Sequence, residues 1–289
     1  MIRLCAFSDE ASPSLHGQIE AMLRNGIYLT ELRSVEGKNV KDLTLEEATE
    51  IRRTLELAGI SVWSVGSPLG KVDISVDIDE YLNTVEHVCR LAVALGTTRI
   101  RMFSFFNAYD QPQKVYDYLQ RMVEVANRYG VKLCHENEKD IYGDTLERVQ
   151  LLMQNVDGMY YVYDPANFLQ CEQVASETLQ SLHGKMEYYH IKDVISETGQ
   201  IVPAGHGNGM IDRLVDMIDP EADTVLTLEP HLHIFAGYAQ IDQQEMKNKY
   251  TFENNDRAFD AAADAIKEIL KNSGYVSEKG GFIKHASRT

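Results

Sequence analysis

The sequence predicts an α/β protein folded as a single (β/α)8 TIM barrel, and two observations support this. Short runs rich in β-branched and aromatic residues alternate with longer segments of helical periodicity, eight of each along 289 residues. Such alternation is typical of a parallel sheet with right-handed crossovers, and eight units close into a barrel of about 250 residues. An open doubly wound sheet would usually have a glycine-rich turn after its first strand, whereas FSDEASPS stands there. We expect the barrel over residues 1–274 and a tail over 275–289.

The first four units have clear helix boundaries. The second helix begins at Thr44, and Glu47 three residues later completes a capping box. Gly96 ends the third helix and Pro112 begins the fourth. The predicted strands therefore cover residues 2–7, 28–35, 60–65 and 98–105, and the predicted helices cover 14–25, 44–59, 79–95 and 112–130.

The last four units have long loops after their strands. The predicted strands are 131–136, 159–164, 187–190 and 224–229, followed by a helix that begins near residue 145 and by helices 172–182, 212–218 and 257–270. In a barrel these loops form the C-terminal face, where active sites are built. The longest, 231–255, contains five aromatic or methionine residues, which favours a lid or a dimer contact. The tail is mostly polar, and we expect it to be disordered or to dock on a neighbouring subunit.

Composition and charge narrow the class of protein. A hydrophobic content of 44% and a charged content of 25% are ordinary for a soluble globular protein. The 28 basic and 44 acidic residues give a net charge of −16, which argues against a nucleic-acid partner. The four cysteines form no CxxC pair, which indicates free thiols in a reducing compartment. Because no run approaches 18 apolar residues, we expect a cytoplasmic protein without a membrane span.

Four polar residues stand at the ends of four predicted strands: Glu136, Asp164, His190 and Glu229. A carboxylate or imidazole at the end of an apolar strand is costly to bury unless such groups meet. Strand alternation allows all four to point into the barrel mouth, where three carboxylates repel one another unless they hold protons or a cation lies between them. Taken alone, each is more often a loop cap or an ion-pair partner. Four on successive strands favour one shared site.

A single divalent metal ion is the cation that this set predicts. Three oxygen ligands and one imidazole suit Mn²⁺, Mg²⁺, Co²⁺ or Fe²⁺ better than a closed structural zinc site, which would favour sulfur. The residue before a proline is held extended, and Asp164–Pro165 and Glu229–Pro230 would fix the backbone at two ligands in this way. The identity of the metal, whether Mn, Mg, Co, Fe or Zn, stays open.

The motifs around these residues resemble those of the xylose isomerase-like TIM-barrel superfamily. The matching runs are Glu136–Asn137, Asp164–Pro165–Ala166–Asn167, His190–Ile191–Lys192–Asp193 and Glu229, with residues 67–71 and 101–104 in the N-terminal half. The superfamily contains sugar-phosphate isomerases and epimerases, ketose 3-epimerases, inosose dehydratases and endonuclease IV-type DNA-repair enzymes. The resemblance extends to about residue 274 and is more specific for the superfamily than for one reaction.

The resemblance implies roles at matching positions. Glu136, Asp164, His190 and Glu229 match the metal ligands of the superfamily. In epimerase-like members, the glutamates that match Glu136 and Glu229 also act as the acid/base pair on opposite faces of the substrate. Asn167 stands where many members have a substrate-contacting histidine.

Two departures separate the chain from particular branches. Ser196 falls where ketose 3-epimerases place a substrate-binding arginine, which together with Asn167 argues against that activity. The endonuclease branch needs histidines at the third and fourth strand ends, but 64–66 is SVG and 103–105 is FSF. We therefore do not expect a DNA-repair enzyme.

The candidate substrate-binding residues are Asn167, Lys192, His231, Arg101 and His206. Lys192 shares a strand face with His190 and would stabilise an enolate or bind a phosphate, or else pair with one of the carboxylates. His206 lies in a Gly-His-Gly loop that could reach the site, but a surface position is favoured for it. Glu31 and Arg33 share a face of the second strand, and for them, as for Arg101, internal ion pairs are favoured over substrate contact.

The sequence and the resemblance together predict a metal-dependent isomerase or epimerase acting on a sugar, a sugar phosphate or a polyol-derived ketone. Glutamate-mediated proton transfer would pass through an enediolate. The alternatives are an inosose-type dehydratase on the same metal site and a non-catalytic sugar-binding barrel. We expect a small carbohydrate as the partner and a homo-oligomer, a dimer or tetramer, as the assembly.

Overall fold

The computed structural model describes residues 1–235, 250–278 and 280–284. Within them, eight parallel strands pair in chain order, and the last strand pairs with the first, which closes the sheet into the predicted (β/α)8 barrel. At this closure Ile2 lies opposite Thr224, and Ala6 lies opposite Leu228. The barrel strands are β1 (Ile2–Ala6), β2 (Leu29–Leu32), β3 (Ser61–Gly66), β4 (Arg99–Met102), β5 (Lys132–Glu136), β6 (Tyr160–Tyr163), β7 (Tyr188–Ile191) and β8 (Thr224–Leu228).

Helices connect the strands and cover the barrel. They are α1 (Leu15–Arg24), α2 (Leu45–Leu57), α3 (Ile78–Leu95), α4 (Pro112–Arg128), α5 (Leu146–Asn155), α6 (Pro165–Gln170), α7 (Ala175–Leu182), α8 (Ile211–Met217) and α9 (Asn255–Asn272). Across the described residues, no helix combines the length and the apolar character needed to cross a membrane.

The local signals in the sequence act largely as predicted. Thr44 and Glu47 form a complete capping box at the start of α2, and Gly96 ends α3 in the left-handed conformation. The predicted helix 172–182 begins later, at Ala175, and the short helix α6 precedes it. This extra helix has a plain cause, because the Asp164 side chain caps it and Pro165 supplies its first residue.

The C-terminal tail pairs with its own chain where the structure describes it. Residues Val276–Glu278 and Gly281–Ile283 form an antiparallel hairpin, and Phe282 pairs with Ile2 of β1. Most of the aromatic loop 231–255, which we predicted to be a lid or a dimer contact, lies outside the described residues because these stop at 235 and resume at 250.

The barrel interior has an apolar layer below its C-terminal mouth. This lower layer consists of Cys5, Cys134, Val162, Tyr188 and Val225, each at most 2% exposed. Because side chains on a strand alternate, the next inward positions after Cys134 and Tyr188 are occupied by charged or imidazole side chains. Along each strand, the lower layer and the mouth are therefore occupied by successive inward-facing residues, two positions apart in sequence.

Candidate metal centre in the barrel mouth

The four predicted metal ligands converge at the C-terminal ends of four consecutive strands. Glu136 is the last residue of β5, Asp164 follows β6, His190 lies in β7, and Glu229 follows β8. Each offers one donor atom, and these atoms all lie within 4.8 Å of one another. All four side chains are buried, at 0 to 3% exposure. The strand ends bring together residues that are up to 93 positions apart in the chain.

Each of the three carboxylates in this cluster also contacts a basic side chain. Arg101 Nε lies 3.2 Å from Glu136 Oε2, and Lys192 Nζ lies 2.9 Å from Asp164 Oδ2. Arg33 Nη1 lies 3.2 Å from a Glu229 oxygen. The ion pairs that the sequence left open as an alternative are therefore present together with the convergent cluster. Side-chain cations supply part of the charge balance that we expected a metal ion to supply.

His190 is held between carboxylates on both sides of its ring. Nδ1 faces the cluster, 3.0 Å from Glu136 Oε1 and 3.2 Å from Glu229 Oε2, and Nε2 lies 3.1 Å from Glu31 Oε2. Burial lowers the pKa of His190, but the carboxylates of Glu136 and Glu31 outweigh burial and raise this pKa well above its usual value. The imidazolium proton on Nδ1 therefore stands where a cation would otherwise neutralise the carboxylates.

Burial and neighbouring charges also shift the pKa values of Asp164, Glu229 and the adjacent Lys192. Burial raises the pKa of Asp164 to about 7, although the Lys192 ammonium lies close by. Burial also disfavours the charged form of Lys192, but Asp164 and Glu229 offset it and keep the pKa of this lysine well above its usual range. For Glu229, burial is outweighed by Lys192 and His190, which hold the carboxyl pKa well below its usual value.

The donor set fits a divalent metal ion. Three carboxylates with one imidazole are ligands of Mn²⁺, Mg²⁺, Co²⁺, Fe²⁺ or an open zinc site, and the four donor atoms are already gathered. Asp164 has the extended backbone that we predicted for a residue before proline, with φ of −114° and ψ of 111°. Its Oδ1 accepts the backbone N–H of Asn167, so Oδ2 is the oxygen that faces the cluster.

Two asparagines join the ends of the strands that carry Glu136 and Asp164. Asn137 exchanges two hydrogen bonds with the backbone of Asp164, at 2.8 and 2.9 Å. Asn167 donates to Glu136 Oε1 at 3.3 Å and to the Asn137 carbonyl at 3.0 Å. Asn167, predicted as a substrate contact, thus lies against Glu136 of the cluster, and it is only 2% exposed.

His231 and His206, two further predicted substrate contacts, lie in different surroundings. His231 is buried beside the cluster, with Nε2 3.6 Å from a Glu229 oxygen and 3.4 Å from Glu10 Oε1. Burial holds the pKa of His231 well below its usual value. His206 is exposed on the loop after β7, where Tyr250 lies 3.3 Å from its Nδ1. This contact directs His206 towards Tyr250 rather than towards the cluster.

A cavity opens beside the cluster and shares Glu136 and Glu229 with it. Its wall contains one aromatic ring, that of Phe103, with two cations against it: Arg101 lies 4.6 Å from the ring centre, and Lys71 lies 4.4 Å from it. The cavity is lined by Asp9, Arg33, Ser34, Asn39, Gly66, Pro68, Lys71, Arg101, Phe103, Glu136, Glu138 and Glu229.

Sequence reasoning missed several of these charged residues. Asp9 accepts two hydrogen bonds from the Arg33 guanidinium, at 2.9 and 3.1 Å, and Lys71 pairs with Glu138 at 2.8 Å. Arg33 was expected to form an internal ion pair, whereas the other three residues were not assigned to the site. These three, Asp9, Lys71 and Glu138, follow a barrel strand closely or lie on the loop after it. That position at the C-terminal face is the signal that would have identified them.

Solved structures similar to this chain are xylose isomerase-like barrels with different activities. The probable 3-DHS dehydratase AsbF from Bacillus anthracis superposes with a TM-score of 0.70 at 14% identity, over 92% of this chain and 99% of that chain. L-ribulose 3-epimerase gives 0.72 at 17% identity, over 94% and 96%. The IOLI protein with a binding zinc atom gives 0.72 at 16% identity, over 94% and 99%. At these identities the likeness concerns the fold.

The comparison with sequence families decides the family. No curated protein matches the chain significantly. The family model described as xylose isomerase-like TIM barrel matches residues 24–269, which is most of the chain and contains all four clustered residues. The chain therefore belongs to the xylose isomerase-like TIM barrel family.

Proposed function

We propose that the protein is a divalent-metal-dependent isomerase or epimerase acting on a sugar or a related hydroxy-carbonyl compound. The observation that carries this proposal is that Glu136 and Glu229 belong both to the cluster of four donor atoms and to the wall of the adjacent cavity. A substrate in that cavity would meet two carboxylates and the metal at once. The structural neighbours include epimerases and a dehydratase, which supports this class without selecting one reaction.

The proposed metal ligands are Glu136, Asp164, His190 and Glu229. When bound, a divalent ion polarises a substrate carbonyl and so acidifies the neighbouring C–H group. The chain keeps this site away from bulk water, because all four side chains are at most 3% exposed. Charges inside such a site interact more strongly than charges in water.

Glu136 and Glu229 are the proposed acid/base pair. The pKa of Glu229 lies well below its usual value because Lys192 and His190 outweigh burial, which keeps this carboxyl group ionised, the form that a general base requires. In the proposed reaction one glutamate removes the proton beside the carbonyl to give an enediolate. The other, or the same one, returns it at the neighbouring carbon or on the opposite face of the same carbon.

Cations around the pair are proposed to stabilise the enediolate. The ammonium of Lys192 lies 3.5 Å from Glu229 Oε2, and Arg101 Nε lies 3.2 Å from Glu136 Oε2. Both are 5% exposed, so water screens their charges little, and in the proposed reaction these charges would stabilise substrate oxygens that gain negative charge. We propose His231 as a further substrate contact because it lies beside Glu229, and Asn167 as the residue that orients Glu136. For His206, which contacts Tyr250, substrate binding remains a proposal from the sequence.

Exchange of solvent deuterium tests the proposal. The protein is loaded with Mn²⁺ or Co²⁺ in D₂O and incubated with a panel of ketoses and inososes, and deuterium at carbon is followed by NMR. We expect exchange with at least one compound, and we expect Glu229→Gln to lower its rate by about 10²–10⁴-fold. The control is Glu221→Gln, an exposed carboxylate outside the mouth, which should leave the rate unchanged.

The same assay separates the alternatives. A dehydratase shares the first proton abstraction and then expels hydroxide, so it yields an unsaturated product with loss of water. A non-catalytic sugar-binding barrel binds ligand with no exchange. If the metal-loaded protein exchanges deuterium into none of the compounds, the proton-transfer proposal is contradicted.

A further inference from the structure

We propose that Glu31, supported by Tyr188, is a positioning residue that makes His190 Nδ1 the nitrogen available to the metal. This inference rests on the metal-binding part of the proposed function, but not on any reaction. Glu31 lies on β2, on the opposite side of the barrel from the strands that carry the four ligands. It is not one of the four clustered residues.

The contacts of Glu31 assign separate tasks to its two oxygens. Oε2 lies 3.1 Å from His190 Nε2, and Oε1 accepts the Tyr188 hydroxyl at 2.8 Å. A carboxylate accepts hydrogen bonds, so Nε2 must carry the hydrogen of its pair. The other nitrogen, Nδ1, then points at Glu136 and Glu229, which lie 3.0 and 3.2 Å away.

The surroundings leave the imidazole little freedom to turn. Glu31 and His190 are both 0% exposed. The Phe7 ring meets the imidazole edge-on at a centroid distance of 5.3 Å, and the Tyr188 ring lies at 5.6 Å. Because packing holds the ring and Glu31 accepts the Nε2 hydrogen, Nδ1 is the nitrogen that is left to face Glu136 and Glu229. Such outer carboxylates raise the basicity of a ligating histidine and fix its orientation.

Tyr188 connects this arrangement to the lower layer of the barrel. Its ring belongs to the apolar cluster with Cys134 and Val162, whereas its hydroxyl reaches up to Glu31 and also lies 3.2 Å from Ser64 Oγ. The Glu31 carboxylate is therefore held by a donor from below and by His190 from the side. The three residues form a Tyr188–Glu31–His190 chain that joins the packed core to the metal site.

Metal affinity, measured without any substrate, tests the role of the Tyr188–Glu31–His190 hydrogen bonds. Purified metal-free protein is titrated with Co²⁺, and the dissociation constant and the visible spectrum of the bound ion are recorded. For Glu31→Gln we expect a dissociation constant about 10–100 times larger and an altered spectrum. The physical reason is that a glutamine amide can donate to Nε2, which leaves the hydrogen on Nδ1, where the metal must bind.

Two further variants distinguish positioning from loss of packing. Tyr188→Phe keeps the ring and removes only the hydroxyl, so we expect weaker Co²⁺ binding than in the wild type but a smaller change than for Glu31→Gln. Val162→Ala removes packing from the lower layer without touching Glu31. We expect it to lower the melting temperature and to leave the Co²⁺ dissociation constant unchanged.

The possible outcomes separate this inference from the proposed function. If wild-type protein does not bind Co²⁺, both are overturned. If wild type binds but Glu31→Gln binds equally well with the same spectrum, only the role of Glu31 is overturned. If Glu31→Gln does not fold, the Tyr188→Phe variant tests the inference instead. An unchanged Co²⁺ dissociation constant for Tyr188→Phe then overturns the proposed role of the Tyr188–Glu31–His190 contacts. Equal losses in Val162→Ala and Tyr188→Phe also overturn it, because packing alone would then explain the effect.

Discussion

The lower layer and the mouth of this barrel are built on the same strands but by opposite rules. In the lower layer, Cys134 and Tyr188 pack in an apolar cluster. In the mouth, the next inward residues, Glu136 and His190, meet other charged groups at 3.0 to 3.2 Å. A period of two along each strand is sufficient to change from one to the other. Apolar packing and the charged cluster are therefore separated here by about 7 Å, the rise of two strand residues.

The largest stability effect is expected from removing a cation of the mouth. Arg33 is 4% exposed and holds Asp9, Glu10 and Glu229 within 3.3 Å. Replacing it by methionine leaves these carboxyl groups without that charge, so we expect metal-free Arg33→Met to lose about 3–5 kcal/mol of unfolding free energy. Urea unfolding with chelator present measures this.

An exposed ion pair provides the control for that prediction. Lys38 and Glu47 are paired at 2.6 Å, but their side chains are 49% and 40% exposed. We expect Lys38→Met to change the unfolding free energy by less than about 1 kcal/mol. Equal losses of unfolding free energy in Arg33→Met and Lys38→Met would show that a buried ion pair of the mouth contributes no more than an exposed one. That result would contradict the contrast drawn for the mouth.

Metal binding should stabilise the mouth. Ligand at a hundred times its dissociation constant adds about 2.7 kcal/mol to the unfolding free energy of a protein that binds it only when folded. We expect this gain for wild-type protein with Co²⁺ or Mn²⁺, because only the folded chain gathers the four donor atoms that would hold the ion. Thermal unfolding of wild type and Glu136→Gln, each with metal and with chelator, measures it. A full gain in the variant would exclude Glu136 as a ligand.

A smaller effect on stability, which depends on pH, is expected from His135. This residue lies between Cys134 and Glu136 in sequence, but its side chain is on the opposite face of β5. It is fully buried beside Ser104, and burial lowers its pKa to about 3. The unfolded chain takes up a proton near pH 6.5 and the folded protein does not, so this histidine removes stability as the pH falls from about 6.5 towards 3. One proton corresponds to about 1.4 kcal/mol per pH unit below pH 6.

Unfolding of metal-free protein at pH 7, 6 and 5 measures that contribution. We expect the unfolding free energy of His135→Gln to fall less steeply with decreasing pH than that of wild type. The difference in slope should correspond to one proton, about 1.4 kcal/mol per pH unit below pH 6. Equal slopes for wild type and variant would mean that His135 is protonated in the folded protein. That result would remove the contrast between the neutral outer face of β5 and its charged inner face.

The smallest effect is expected in the lower layer. Cys134 is fully buried, and its thiol reaches the Lys132 carbonyl only at 3.9 Å. Cys134→Ser buries a hydroxyl with a poor partner, which costs about 1 kcal/mol or somewhat more. Because the change does not reach the mouth, we expect the Co²⁺ dissociation constant to stay as in wild type. A weakened metal site in this variant would show that the two layers are coupled.

Much of the fold and the core of the candidate site were predictable because their signals are local. The capping box of Thr44 and Glu47, the glycine stop after α3 and the alternation of strand residues each depend on neighbours in sequence. The short helix α6 was missed although its signal was present, since Asp164–Pro165 was interpreted only as an extended backbone and not also as a helix start. Ion pairs were predicted for Arg101 and Arg33 and left open for Lys192, but the carboxylate that each one meets was not assigned, because that partner stands on another strand.

The sequence by itself determined that polar groups stand at the ends of four strands and that those strands belong to a closed barrel. Periodicity and strand-end position carry that information. Only the tertiary structure decided that Arg101 would meet Glu136, and that Glu31 would meet His190 from 159 residues away along the chain. Such pairs depend on barrel closure and on the stagger of its strands. A strand pattern fixes the face on which a side chain lies, but the distance across the barrel is set by the packing of all eight strands together.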